Sequence, residues 1–194
     1  MSQDRQRHII LDLDQTIISG EPIDEFEVKN EPRKKKFIYH TMDNDYFIFE
    51  RPNLQRFLDY IFKNFKVSVW TAASKDYALF IIENVILKKP SRSLEWIFYS
   101  YHCEISEKLT KSSKNLTVLS NKFDIDDFKG DIFIFDDNED VYNSQPDRCL
   151  IAKPFFFTDE ESEHDDYLTQ VIRMLKKGET VKKMNKKLLK DNSN

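Results

Sequence analysis

Apolar residues in this chain fall into two patterns, short unbroken runs and longer stretches spaced by three and four. The runs at 8–14, 65–73 and 131–136 are bounded by polar, turn-prone residues and are rich in Ile, Val, Phe and Trp, which predicts strands buried on both faces. Shorter runs at 96–99 and 149–152 predict two more. After Pro52, the positions Leu54, Phe57, Leu58, Ile61 and Phe62 form one stripe of a helix that ends near Asn64. Ser74 then caps a second helix carrying Tyr77, Leu79, Phe80, Ile82, Val85 and Ile86, stopped by Lys88-Lys89-Pro90. Further helices are predicted at 114–121 and 167–175, with a polar stretch from Ser106 to Ser113 between elements. Phe37 to His40 and Tyr46 to Glu50 flank Asp43-Asn44-Asp45 and predict a hairpin. Helices alternating with buried strands imply an α/β fold with a doubly wound parallel sheet.

Two of the buried runs stop abruptly at acids. Asp12 and Asp14 follow the first, and because side chains alternate along a strand they share one side, about 6–7 Å apart. Asp136 and Asp137 end the run at 131–136, and Thr71 ends the run between them in sequence. Ligands of open α/β sheets bind outside the carboxyl ends of the strands, so these residues would converge on one site. Carboxylates gathered there repel one another and lose hydration unless a cation or a reaction requires them. Mg2+ is the natural candidate, since it takes carboxylate oxygens together with phosphate and water. Lys114 could supply positive charge to a phosphate. Each feature taken singly has a structural explanation as well: an acid after a strand can be a turn residue or helix cap, Thr71 a cap, and Lys114 a solvated charge.

Length and composition are those of one catalytic domain. A chain of 194 residues that is 40% hydrophobic can bury a real core. A net charge of −4 favours neither nucleic acid nor a membrane surface. The two cysteines, Cys103 and Cys149, and the four histidines show no metal-ligand spacing, which points to free thiols in a reducing compartment. No apolar segment is long enough for a signal peptide or membrane span. No glycine-rich phosphate loop is present, so any phosphate must be held by strand-end side chains, backbone amides and a metal. The basic run Arg33 to Lys36 reads as a solvated edge, and the stretch from Lys176 to Asn194, with seven lysines, as a fraying tail.

Asp12-Leu13-Asp14-Gln15-Thr16, Trp70-Thr71-Ala72-Ala73, Lys114-Asn115-Leu116 and Phe135-Asp136-Asp137-Asn138-Glu139-Asp140 occur in the order of the four motifs of the haloacid dehalogenase superfamily. More narrowly the chain resembles RNA polymerase II C-terminal-domain phosphatases, the small CTD phosphatase or NLI-interacting-factor-like group. Arg51-Pro52, Lys75, Tyr77 and Cys103 add to the match, which spans about residues 8–157. The resemblance implies a haloacid-dehalogenase-like Rossmannoid domain over 1–175 with a small β insertion at about 20–50, followed by a lysine-rich tail at 176–194.

It also implies roles. Asp12 would attack phosphorus to give an aspartyl-phosphate. Asp14 would protonate the leaving alkoxide and later activate water, its carbonyl joining Asp12, Asp136 and Asp137 around Mg2+. Thr71, Ala72 and Lys114 would hold the phosphoryl oxygens, Thr16 would orient the site, and Tyr77 would touch substrate. A small insertion leaves the site open, which favours a phosphorylated protein or peptide, with polymerase C-terminal repeats as one candidate. Two rival functions stay open: hydrolysis of nucleic-acid 3′-phosphates or small phosphomonoesters on the same fold, and phosphopeptide binding without catalysis. Ser74 stands where the small CTD phosphatases carry an aliphatic residue. Between Glu104 and Ser113 no arginine occurs, so Lys108 or Lys111 would replace the one expected there. An intracellular setting, nuclear or cytoplasmic, is expected, and a large DNA virus is a compatible source.

Overall fold

The computed structural model describes residues 7–125 and 132–191. A parallel sheet of five strands runs through its centre in the order β6 (Ile97–Phe98), β5 (Lys66–Trp70), β1 (His8–Leu11), β7 (Ile132–Asp136), β8 (Cys149–Ile151). The alternation of side chains along these strands builds two cores. Ile9, Leu11, Val67, Val69, Phe133 and Phe135 point to one face. There they meet the apolar sides of α2 (Leu54–Asn64), α3 (Lys75–Ile81), α7 (Tyr167–Lys176) and α8 (Val181–Asp191). Ile10, Trp70, Ile132 and Ile134 point the other way, onto α4 (Ser100–Thr110), α5 (Thr117–Phe123) and α6 (Glu139–Ser144). The doubly wound parallel fold expected from the pattern is the fold observed.

The predicted hairpin is β3 (Tyr39–Met42) and β4 (Tyr46–Glu50), and it carries a third strand, β2 (Ile18–Pro22), on the other side of β4. β2 contains Ser-Gly-Glu-Pro, a composition poor in strand formers, so only its pairing with the Tyr-Phe-Ile-Phe of β4 makes it a strand. Phe49 stacks on Phe157 with ring centroids 3.9 Å apart, which ties this small sheet to the segment after β8.

Four expectations are corrected. The polar stretch from Ser106 belongs to α4, whose buried side offers only Cys103 and Ser106 and so leaves no apolar stripe to read. Residues 114–116 form a loop, and the helix predicted there begins at Thr117. Lys34, expected in solvent, lies in the short helix α1 (Glu31–Lys34) and is 9% exposed. Its ammonium sits over the Phe47 ring at 3.4 Å and near Tyr39 and Phe26, a cation on aromatic faces. Among the described residues the lysine-rich end is not a frayed tail: α8 buries Val181, Met184 and Leu188 in the main core. Asn185 accepts from the Ile151 amide at 3.1 Å and donates to the Cys149 carbonyl at 2.8 Å, closing the outer edge of β8.

Glu50, at the end of β4, is buried and ties the small sheet to the main domain. It accepts from His40 Nε2 at 2.8 Å, Lys88 Nζ at 2.7 Å and Gln55 Nε2 at 2.9 Å. Burial alone would raise its carboxyl, but these three partners outweigh burial and hold it below the usual glutamate range.

Met184→Ala is expected to cost about 2–5 kcal/mol in urea unfolding, since it empties a fully buried site; an unchanged midpoint would mean α8 is not part of the cooperative unit. Glu50→Gln tests the polar tie. The folded protein binds this proton less readily than the unfolded chain, so the contribution is full above the unfolded carboxyl range and disappears as pH falls through the lower folded value. The variant should be less stable by about 1–3 kcal/mol near pH 7, with the gap to wild type narrowing below about pH 4.

Candidate active site

Register brings the acids together. Leu11 pairs with Phe135 in the β1–β7 ladder, and the Asp12 amide donates to the Phe135 carbonyl at 3.0 Å, so Asp12 and Asp136 leave adjacent strand ends side by side. One oxygen each from Asp12, Asp136 and Asp137 can be chosen with all three within 4.8 Å of one another. Lys114 comes in over them from the loop before α5. Its ammonium donates to Asp12 Oδ1 at 2.6 Å and to Asp136 Oδ2 at 2.8 Å, and all three groups are buried. An ammonium has three donors, so one remains.

Thr16 orders the other side. Its hydroxyl accepts from the Asp137 amide at 3.1 Å and donates to Asp137 Oδ1 at 2.9 Å, while Asp12 Oδ2 lies 3.3 Å away. With one proton to give, Thr16 holds Asp137 better than Asp12, and Asp12 Oδ2 is the more loosely held of the two Asp12 oxygens. The loop that presents Thr16 turns through Gln15, a non-glycine residue at φ +58°, in the left-handed region. The Gln15 amide donates to Ile18 O at 2.8 Å and its carbonyl accepts from Phe155 at 2.7 Å, contacts that hold the turn in place.

Charge in this cluster is out of balance. Burial pushes the Asp12 carboxyl well above the usual range; Lys114 opposes that and the neighbouring Asp136 and Asp137 add to it. Burial would lower the Lys114 ammonium, yet Asp12 and Asp136 outweigh it and hold it above an ordinary lysine. Asp137 is also raised, chiefly by burial. Asp14 sits half-buried at the rim, raised mainly by burial, and its Oδ1 accepts from the Tyr77 hydroxyl at 2.5 Å.

Thr71 follows β5, buried, with its hydroxyl oxygen accepting from the Ala73 amide at 3.1 Å, which leaves its proton free to be aimed elsewhere. Ala72 beside it is exposed. Tyr77 projects from α3 and meets Tyr46 edge to face at 5.3 Å. Thus Asp12, Thr16, Lys114, Asp136 and Asp137 form one contact network, Asp14 and Tyr77 border it, and Thr71 and Ala72 stand at the neighbouring strand end. Lys108 and Lys111, the substitutes for an expected arginine, are exposed near the end of α4.

Three further residues support the site. Gln145 accepts from the Leu116 amide at 3.0 Å and donates to the Lys114 carbonyl at 2.7 Å, which fixes the lysine loop. The Asn138 amide donates to Asp136 Oδ1 at 2.9 Å. Arg51 is fully buried, paired with Asp165 at 2.9 Å and donating to the carbonyls of Thr16 and Lys153. Arg51-Pro52 was legible as a motif element; no signal marks Gln145.

The donor set is hard oxygen only, with one partly compensating cation, and it fits Mg2+ better than a soft metal. The arrangement can hold a phosphate between a cation and Lys114 and offer it the Asp12 carboxylate.

Residues 7–185 match the family described as NLI interacting factor-like phosphatase. A CTD phosphatase-like protein of Invertebrate iridescent virus 3 is 42% identical over 185 residues, covering 90% of this chain and 98% of the relative. Its counterpart in Invertebrate iridescent virus 6 is 43% identical over 176 residues, covering 87% and 97%. Among solved structures, the fission yeast RNA polymerase II CTD phosphatase Fcp1 bound to beryllium fluoride superposes with a TM-score of 0.56 at 19% identity, over 98% of this chain. The chain spans 57% of that protein's structure, and the likeness establishes the shared fold.

Removing the cation tests the charge balance. Lys114→Met should destabilise the metal-free protein by about 3–5 kcal/mol in urea unfolding, because it leaves packed carboxylates without their buried partner. A loss below about 1 kcal/mol would mean that the carboxylates are neutralised in some other way.

Proposed function

Because the chain belongs to the NLI interacting factor-like phosphatase family, and so is a phosphatase, we propose that it is a Mg2+-dependent phosphoserine protein phosphatase working through an aspartyl-phosphate on Asp12. The observation that carries this is the contact of Asp12 with Lys114 beside Asp136 and Asp137 at the carboxyl edge of the sheet. Mg2+ would be held by Asp12, Asp136, Asp137 and the Asp14 carbonyl. When bound, it neutralises phosphate oxygens and so admits an anionic nucleophile.

The chain's own groups do the rest. The third donor of Lys114, the Thr71 hydroxyl and the Ala72 amide bind the phosphoryl oxygens as charge builds on them. Asp12, held in line, displaces the serine oxygen, and Asp14 gives that oxygen its proton. Asp14, now a carboxylate, takes a proton from the water that cleaves the acyl phosphate and restores Asp12. Thr16 keeps Asp137 fixed throughout.

A phosphorylated protein segment is the substrate this site fits best. Asp14 and Asp137 are only half-buried, and the insertion is a three-stranded sheet beside the site, leaving an approach for an extended chain. Polymerase C-terminal repeats are the leading candidate, in keeping with the viral relatives that are described as CTD phosphatase-like. We assign the protein to the interior of an infected cell, in keeping with its viral relatives and with the free, buried thiols of Cys103 and Cys149.

Turnover of a phosphoserine peptide, a 3′-phosphorylated oligonucleotide and p-nitrophenyl phosphate separates the candidates. The peptide and the aryl phosphate should turn over with Mg2+ and stop with EDTA, and Asp12→Asn should lose at least about a thousandfold in kcat/KM. Acid-quenched enzyme should carry phosphate on Asp12 by mass spectrometry. Turnover of the oligonucleotide alone would overturn the choice of substrate, and full activity in Asp12→Asn would overturn the mechanism.

A further inference from the structure

We propose that Tyr77 is a positioning residue for the proton-donating carboxyl of Asp14: by occupying Oδ1 it leaves Oδ2 as the oxygen that exchanges a proton with the leaving group. This rests on the mechanism proposed above and assigns a job within it. A carboxyl group has two oxygens, and a general acid works only when the protonated one faces the departing atom within hydrogen-bond reach. The Tyr77 hydroxyl donates to Asp14 Oδ1 at 2.5 Å, so that oxygen already has a hydrogen-bond partner. An oxygen already accepting along that direction is a poor place for the transferable proton. Rotation about the Asp14 side chain is checked by the same bond.

Three separate elements make the contact. Tyr77 stands on α3, whose first turn is capped by Ser74 accepting from the Tyr77 amide at 3.4 Å. Tyr46, on β4 of the insertion, meets the Tyr77 ring edge to face, 5.3 Å between centroids and 78° between planes. Gly20, on β2, supplies the space: a methyl group there would lie 2.0 Å from the Tyr77 hydroxyl oxygen and 3.1 Å from Asp14 Oδ1. Gly20 sits at ordinary strand geometry in a chain with three glycines, so its lack of a side chain is explained by this close approach rather than by the backbone. The small sheet therefore reaches the chemistry through Tyr46 and Gly20, both of which lie against Tyr77.

In the step concerned, the Asp12 oxygen forms a bond to phosphorus while the bond from phosphorus to the leaving oxygen breaks. That oxygen leaves with the bonding pair and takes the proton from Asp14 Oδ2. The less acidic the leaving alcohol, the more the rate depends on that proton.

The test is the dependence of kcat/KM on leaving-group acidity across a set of ring-substituted phenyl phosphates of similar size, from nitrophenyl to phenyl. This ratio reports the enzyme only up to release of the alcohol. Tyr77→Phe keeps the ring and its contact with Tyr46 and removes the hydroxyl. It should lose about 10- to 30-fold on phenyl phosphate and less than about 3-fold on p-nitrophenyl phosphate, a steeper slope than wild type. Gly20→Ala displaces the hydroxyl in another way and should steepen the slope similarly. The double variant should be no worse than the poorer single, since both remove one interaction. A uniform loss across the series, a rise in KM at unchanged slope, or no change would each overturn the proposal, because a structural or substrate-contacting tyrosine produces those patterns. Asp14→Asn is the benchmark for lost proton donation. Activity surviving in Asp12→Asn would instead count against the mechanism itself, whatever Tyr77→Phe does.

Discussion

The ion pair from Lys114 to Asp12 and Asp136 is the constraint around which the rest of this structure is arranged. Carboxylates at the ends of two neighbouring buried strands repel each other through a medium that screens poorly, and each has lost most of its water. One ammonium cannot balance Asp12, Asp136 and Asp137, with Asp14 close enough to feel both Lys114 and Asp137. The site is built short of positive charge. The Mg2+ proposed above would make up the deficit, and a phosphate could then enter without adding to the repulsion.

Such a cluster persists only if its carriers cannot move apart. Asp12 and Asp136 extend two central strands whose residues are almost wholly buried, so their spacing is set by the ladder and not by side-chain preference. Lys114 lies on a loop, and loops drift; Gln145 prevents this by gripping the backbone at both Lys114 and Leu116. Arg51 does the same for the opposite rim. It ties the carbonyls of Thr16 and Lys153 to Asp165, with its guanidinium 4.7 Å from the Tyr167 ring. Arg51 and Gln145 are thus occupied with the backbone of the loops that carry Thr16 and Lys114.

What could be read from the amino-acid order follows the same division. Strands buried on both faces are unbroken apolar runs, and a polar residue at the end of such a run stands out; Asp12, Asp14, Asp136, Asp137 and Thr71 were legible for that reason. Elements stabilised by partners distant in sequence were not. β2 is a strand because of β4, α4 is a helix whose inner side is cysteine and serine, and Lys34 is buried because Phe26, Tyr39 and Phe47 converge on it. In α8 the lysines mask an apolar stripe of Val181, Met184 and Leu188 that spacing by three and four would have exposed. The Tyr77 to Asp14 contact joins residues 63 apart, and although the resemblance named both residues, nothing in the sequence pairs them.

The insertion acquires a different meaning in this light. A cap that encloses a small substrate must cover the site, whereas this sheet packs its phenylalanines against Phe155 and Phe157 and stands to one side. Its rigidity still matters, because Gln15 turns through a left-handed conformation that costs of order 1–3 kcal/mol and feeds directly into β2. The bridge from Asp14 to Ile18 and the bond from Gln15 to Phe155 hold that turn against its own preference. Relaxing it would swing Asp14 and Thr16 together, since both flank Gln15. The strained turn, the acid at the rim and the hydroxyl that orders Asp137 are therefore one mechanical unit, stabilised from outside by aromatic packing while Asp14 and Asp137 remain only half-buried.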